Sequence, residues 1–303
     1  MRHTLKQLEV FIAVARMDNV SRAAEALSLS QSATSTALAE LEKQFDCQLF
    51  DRLGKTLKLN ELGRSLLPKA TTLLDQALEI ESMLQGKATL GLLKVGATLT
   101  VGNYIATSLI GSFMKQHQDC QIQLRVQNTS MILQQIAHYE LDLGLIEGNC
   151  QHPDLEAEPW MDDELVVFCA PNHLLALKNN ISMDDLLVET WVLREAGSGT
   201  RETFDHAFYH HLSSLNIRLV LEHTEAIKGA VKSGLGIGCI SRLALRDELQ
   251  SRNLVAIATP WLDLKRQFMF VWHKKKYQTA SMQTFLTHCK LQTSDVSHTD
   301  QIQ

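Results

Sequence analysis

Helical periodicity opens the chain. Leu5, Leu8, Phe11, Ile12 and Ala15 share one face of a helix over residues 5–17, because side chains three and four positions apart stack on the same side. Asp18 and Asn19 interrupt the pattern. A short second helix follows Ser21, with Ala23, Ala24 and Leu27 turned inward. Ser28, Leu29 and Ser30 make a tight turn, and Ser30 is placed to cap a third helix over residues 31–42. Its inner face reads Ala33, Ala37, Leu38 and Leu41; its outer face reads Gln31, Ser32, Thr34 and Ser35. Leu53, Leu57 and Leu59 then alternate with Lys55 and Lys58 around Gly54, which predicts a β-hairpin.

From residue 66 the apolar positions are Leu66, Ala70, Leu73, Ala77, Ile80 and Leu84, in alternating steps of four and three. That spacing is a heptad seam and predicts a helix that pairs with a second copy of itself. Packing on its own domain is the alternative. Pro68 should bend or loosen the start of this helix, and Gly86 marks its end. After Gly91 the pattern changes again. Strands are predicted at 92–97, 122–126, 141–146, 165–168, 191–193, 219–221 and 237–240, with helices at 104–114 and 132–138. Strands alternating with helices mean mostly parallel sheets with helical covers.

These placements suggest two chemistries. A helix-turn-helix with small residues in its second helix presents the start of its third helix to DNA. Gln31 there can pair bidentately with adenine, and Ser32, Thr34 and Ser35 can reach base edges or phosphates. Arg52, Lys55 and Lys58 of the hairpin wing would meet the backbone. In the α/β part, ligands bind beyond the carboxyl ends of strands. Those ends carry Thr98, Thr100, Asn128, Thr129, Glu147, Ser198, Gly199 and Thr200. Hydroxyls and backbone N–H groups at helix N-termini suit a small oxyanion; the same residues also serve as helix caps. Glu147 is out of place among them: it is protonated, takes a proton from the ligand, or points elsewhere.

One set of motifs is more specific. Leu8-Glu9-Val10-Phe11, Ser21-Arg22-Ala23-Ala24-Glu25-Ala26-Leu27, Ser30-Gln31-Ser32-Ala33, Leu41-Glu42, Leu49-Phe50-Asp51-Arg52 and Leu59-Asn60-Glu61-Leu62-Gly63 stand in the order and spacing of LysR-type transcription regulators. The chain resembles that family, with Asn60 where the family usually has Thr. The resemblance implies an all-α winged helix-turn-helix head (residues 1–60) and a long linker helix (61–90). An α/β two-lobed, periplasmic-binding-protein-like effector domain would follow (91–303). Lobe I would span about 91–162 and 266–290, lobe II about 163–265, and 291–303 would be a polar tail. Crossovers would fall at residues 158–166 and near 260–265. Ser21, Arg22 and Ser30 join the DNA-binding set, and the linker helices pair two heads into a dimer, with the sensor domains pairing dimers into a tetramer. The stretches 193–201, 225–228 and 234–237 look like the YeiE- and CysB-like branch, whose members respond to sulfur oxyanions or related small anions. Double-stranded promoter DNA and a small, anionic effector are thus the implied partners. RNA polymerase is admitted as a further one, and no cofactor or metal is implied.

Composition narrows this only slightly. A chain of 303 residues fits about two domains. A net charge of −5 argues against wholesale polyanion binding but not against a local basic patch. No run is long enough for a membrane span and the start carries no long apolar segment, so a cytoplasmic protein is expected. Cys47, Cys120, Cys150, Cys169, Cys239 and Cys289 form no CxxC pair and read as reduced, mostly buried thiols; only Cys289 has a basic neighbour, Lys290. His206 and His210 are one helical turn apart, and without an HExxH pattern they read as surface residues. A solute-binding receptor or an enzyme on the same α/β fold is the alternative function. An exported receptor would need a leader, and no nucleophile elbow, P-loop or dinucleotide fingerprint is present. A constitutive architectural protein is opposed by the acidic balance and the long sensor domain.

Overall fold

A computed structural model describes residues 3–53, 56–84 and 90–294. The head is α1 (Leu5–Met17), α2 (Val20–Ala26) and α3 (Gln31–Gln44), followed by a hairpin of β1 (Phe50–Leu53) and β2 (Thr56–Leu59). Each helix start is capped by a side chain: Thr4 for α1, Asn19 for α2 and Ser30 for α3. Leu8, Phe11, Ile12, Leu38, Leu41 and Phe50 form the core. Leu5 departs from its expected place and is exposed, whereas Gln7, Val10 and Val14 are buried as well. Helix α1 is therefore covered on more than one side.

Helix α4 (Glu61–Leu84) runs through Pro68 as one continuous element. Its seam divides in two. Leu66 and Ala70, with Leu67, pack into the head of the same chain, so Ala70 is not free for a partner helix as the heptad reading had it. Leu73, Ile80 and Leu84 remain exposed. Gly86 lies outside the described residues.

Lobe I begins with β3 (Leu92–Ala97). A helical run follows, made of α5 (Leu99–Val101), a π-helical turn (Gly102–Ala106) and α6 (Thr107–Gln116). Next come β4 (Gln121–Val126), α7 (Thr129–Ala137) and β5 (Leu143–Glu147). Strand β6 (Leu155–Cys169) then passes into lobe II. There follow α8 (Met183–Leu187), β7 (Thr190–Arg194), α9 (Gly199–Ala207), β8 (Asn216–Leu221), α10 (Thr224–Lys232), β9 (Ile237–Ser241), α11 (Arg242–Gln250) and β10 (Val255–Ile257). The chain returns through β11 (Lys265–His273) and ends on α12 (Ala280–Ser294).

Strand order is β4-β3-β5-β11-β6-β9-β7-β8, with β10 on β6. In lobe I β3, β4 and β5 are parallel and β11 runs against them; in lobe II β7, β8 and β9 are parallel and β6 runs against them. The first part of β6 pairs with β11 and its last part with β9, so these long strands are the hinge between lobes. Phe113, Phe268 and Phe285 fill one face of lobe I, Ile132, Ile136 and Val271 the other. Trp191, Phe204 and Phe208 fill one face of lobe II, Ile227, Val231 and Leu245 the other. The expected polar tail is partly helix. Leu291 through Ser294 belong to α12, and Trp160 Nε1 donates to Thr293 Oγ1 at 2.9 Å. Residues 295–303 lie outside the described residues.

Candidate functional site

The head offers one polar face. Ser21, Arg22, Ser30, Gln31, Ser32 and Ser35 are exposed. Ser30 Oγ accepts from the Ala33 backbone at 3.1 Å and lies 3.0 Å from Ser32 Oγ. Thr34 departs from the expected outer face. It is fully buried, and its hydroxyl donates to Ser30 O at 3.1 Å. That bond satisfies the hydroxyl and lets the methyl group face the core. Ala33 is exposed instead, so the inner stripe is Thr34, Leu38 and Leu41. The hairpin pairs Arg52 with Leu57 in register. Lys58 sits 3.3 Å from Asp18, an exposed pair, and Lys55 lies outside the described residues.

Between the lobes the structure gathers the predicted strand-end residues. Thr98, Thr100, Thr129, Glu147, Ser198 and Thr200 are all buried. Asn128 caps α7 and Ser198 caps α9, as the cap reading expects. The two helix starts also bond across the cleft. Gly199 N donates to Thr129 Oγ1 at 3.0 Å, and Ser130 N donates to Gly197 O at 3.0 Å. Gly199 has to be glycine, since a Cβ there would lie 2.2 Å from Glu147 O. Gly197 adopts φ +88°, which glycine tolerates best.

Glu147 lies where these donors converge. Its carboxylate accepts from Thr100 N at 2.7 Å, Thr200 Oγ1 at 2.9 Å and Arg266 Nη1 at 2.8 Å. Burial alone would lift its pKa, but Arg266 and the Thr100 hydrogen bonds outweigh burial and hold it at about 2. Glu147 is thus ionised, with Arg266 its main partner. Arg266 Nε also donates to Asp163 at 2.7 Å, and Asp163 accepts from Ser241 at 2.7 Å. Burial opposes the Arg266 charge, and the two carboxylates overcome it and raise its pKa. Arg266 Nη2 is buried without a hydrogen-bond partner. The strand-end hydroxyls and helix starts therefore gather around a buried guanidinium as well as a carboxylate. Arg266 and Asp163 were missed; the signal was a run of acids at 162–164 facing Lys265-Arg266 at the two crossovers.

A second bridge spans the lobes nearby. The Tyr104 hydroxyl donates to Glu225, which pairs with Lys228 at 2.7 Å. Burial, then the Glu225 bond, raises the Tyr104 pKa. Thr98 differs from its neighbours: it precedes α5 without capping it, and its hydroxyl has only a 3.5 Å contact to Leu145 O.

The remaining candidates resolve simply. All six cysteines are free, and four are buried. Burial pushes the Cys169 thiol up to about 11 and the Cys289 thiol up to about 12. Lys290 does not activate Cys289, since it pairs with Glu158 at 2.6 Å. His206 lies in α9 and His210 in the following 3₁₀ turn, so they do not share one helix. Among the described residues no cluster is arranged to hold a metal ion, and no helix is long and apolar enough to cross a membrane.

Comparison with known proteins places this geometry. The family model for the LysR substrate binding domain matches residues 87–293. That for the bacterial regulatory helix-turn-helix protein, lysR family, matches residues 5–64. The chain is 40% identical over 289 residues to the uncharacterized HTH-type transcriptional regulator YeiE of Escherichia coli (strain K12), covering 95% of this chain and 98% of that one. The regulatory domain of Synechocystis PCC6803 CcmR, solved in complex with 2-PG, superposes with a TM-score of 0.63 at 30% identity. It covers 68% of this chain and 98% of that one. A full-length OxyR variant from Pseudomonas aeruginosa shares the fold at a TM-score of 0.71 and 21% identity, covering 95% and 94% of the two chains.

The buried carboxylate sets a pH dependence. Its folded pKa lies below the ordinary 4.5, so its stabilisation is full above that value and is lost as pH falls toward about 2. A depression of that size is worth roughly 3 kcal/mol. In denaturant titrations, wild type should exceed Glu147→Gln in stability at pH 7, and the gap should close between about pH 4.5 and 2. A gap independent of pH would show that the carboxylate is not held ionised.

Proposed function

The chain belongs to the LysR family of transcription regulators, and from that premise we propose that it binds promoter DNA as a dimer under the control of a small oxyanion held between its lobes. The family assignment carries the coarse statement: a DNA-binding regulator, like its relatives and not an enzyme, with an effector-binding domain for small molecules. The finer reading rests on one observation. A hydroxyl, a backbone N–H and a guanidinium converge on a single carboxylate, that of Glu147, in the cleft. A small oxyanion asks for the same donors. Glu147 therefore stands where an anionic effector would be read, and the two compete. Thr98, with its hydroxyl nearly free, Thr100, Asn128, Thr129, Ser198, Gly199 and Thr200 frame the site. In the head, Gln31, Ser32 and Ser35 enter the major groove, with Ser21, Arg22, Ser30, Arg52 and Lys55 on phosphates. The exposed Leu73, Ile80 and Leu84 pair with a second α4, and sensor domains pair dimers into tetramers. A regulator of this kind works in the cytoplasm, where promoter DNA is.

Three measurements test this reading. In gel shifts on genomic fragments, Arg22→Ala should weaken binding to all sequences and flatten its salt dependence, while Gln31→Ala should change sequence preference. Binding unaltered by both, in folded protein, removes the assignment. Ile80→Asp changes a residue exposed in the single chain. The variant should fold yet shift light scattering toward monomer, since a carboxylate in a paired seam is costly. Unchanged mass means that pairing lies elsewhere. Isothermal titration with sulfite, sulfate and thiosulfate should find one binder. Thr98→Val should weaken it by about 1 kcal/mol, roughly fivefold, and Glu147→Gln should strengthen it. Absence of binding by all three, or indifference to both substitutions, sinks the oxyanion site.

A further inference from the structure

The head and lobe I are not independent bodies in this chain. Lys276, in the turn between β11 and α12, has an almost completely buried side chain. Its ammonium lies 2.6 Å from Asp75 of the linker helix and 2.9 Å from Asp142, one residue before β5. Burial opposes the charge of Lys276, and the two carboxylates more than restore it. Glu79, one turn along α4 from Asp75, accepts from the Tyr277 hydroxyl at 3.0 Å and from Ala280 N at 2.8 Å. It thereby supplies a carboxylate to the start of α12, a favourable position for negative charge. Arg16 of α1 lies in the field of Asp142, Asp75 and Glu140.

An apolar contact accompanies the charges. Tyr139, which follows α7, packs in the core cluster of the head. It takes φ +58°, an uncommon conformation for a side chain of this size. Its ring lies 4.2 Å from that of His273, and its hydroxyl is 2.9 Å from His273 Nδ1. Tyr139 thereby adds an apolar side chain from lobe I to the cluster that holds the buried residues of α1.

The same two strands reach the cleft. β5 has Asp142 just before its start and Glu147 at its end; β11 has Arg266 near its start and His273 at its end, with Lys276 three residues on. They are antiparallel neighbours, Glu147 opposite Phe268 and Gly144 opposite Val271. The pair thus carries an ion pair at each end: Glu147 with Arg266 in the cleft, Asp142 with Lys276 against the head.

We propose that Asp75, Lys276, Asp142 and Tyr139 form an intrachain clasp that docks the DNA-binding head and linker helix on lobe I, and that the β5–β11 ladder ties this clasp to the inter-lobe cleft. Releasing the clasp frees the head to reorient. Displacing Glu147 or Arg266 loads the same two strands that hold it. Hydrogen bonds across a ladder resist sliding, so a shift at one end of two paired strands is felt at the other.

Hydrogen–deuterium exchange on the full-length chain tests this without knowledge of the effector. Asp75→Asn keeps size and polarity, and Lys276→Met removes the central charge. Both should speed exchange at residues 8–16 and 139–142 by roughly tenfold or more, because a buried pair has lost one partner. Peptides of lobe II should be unaffected and circular dichroism unchanged. Arg266→Lys, ten residues from Lys276, should speed exchange at 273–280 by roughly twofold or more. Should Lys276→Met not fold, Asp75→Asn alone decides the clasp. Protection equal to wild type in a folded clasp variant overturns the docking. Opening confined to the cleft in Arg266→Lys overturns the link through the ladder.

Discussion

Arg266 is held between Glu147 and Asp163 at the place where the two lobes exchange strands. All three groups are buried, and each alone would carry a desolvation penalty of several kcal/mol. They persist because the charges are also hydrogen-bonded: Ser241 to Asp163, Thr100 and Thr200 to Glu147. Against well-packed apolar side chains such a cluster adds little net stability. Its effect is geometric. Glu147 ends β5, Asp163 lies in β6, Arg266 in β11, Thr200 in α9 and Ser241 ends β9. A displacement of either lobe therefore breaks a charged hydrogen bond, and the relative placement of lobes is set by chemistry as well as by packing.

The same constraint shapes the cleft. Because α9 starts against the end of β5, position 199 has no room for a side chain, and the first turns of α7 and α9 spend donors on one another. Helix starts that would bind an anion in isolation are satisfied by protein groups here. Glu147 takes the Thr100 N–H and the Thr200 hydroxyl, together with the guanidinium of Arg266 from β11. Its depressed pKa and the lobe contacts are two views of one fact, since both require the carboxylate to stay charged beside Arg266.

Much of this was legible in the residues, and the exceptions have physical reasons. Strands with apolar runs, such as β3, β7 and β9, were found within a residue or two because burial on both faces leaves a continuous signal. Strand β11 was not, although Arg266, Phe268, Phe270 and Trp272 alternate to one side; its neighbours in the sheet are distant in sequence, so no local turn announces it. Thr34 was placed outward because a hydroxyl reads as polar. Ser30 O, four residues back, satisfies it, and only the helix phase reveals that. The strand-end hydroxyls stand out locally as polar residues after apolar runs, but Arg266 does not, because a single Arg gains meaning only when topology brings Asp163 and Glu147 to it. Ala70 misled for the opposite reason. It follows the heptad spacing, yet the head of its own chain covers it.

A cleft in which a carboxylate of the protein already holds Thr100 N, the Thr200 hydroxyl and Arg266 Nη1 changes what an effector has to accomplish. A ligand that bound open and closed lobes equally would shift nothing, however tight its binding. To act, it has to gain contacts that one arrangement offers and the other lacks. Where Glu147 already accepts from Thr100, Thr200 and Arg266, an anion gains those contacts only by displacing the carboxylate or separating it from Arg266. Either event alters the ion pair that joins β5 to β11 at the cleft. Those strands carry Asp142 and Lys276 at their other end, against the linker helix. Recognition of an anion at Glu147 and a change at the head would then be a single rearrangement of one pair of strands, with no separate relay between them.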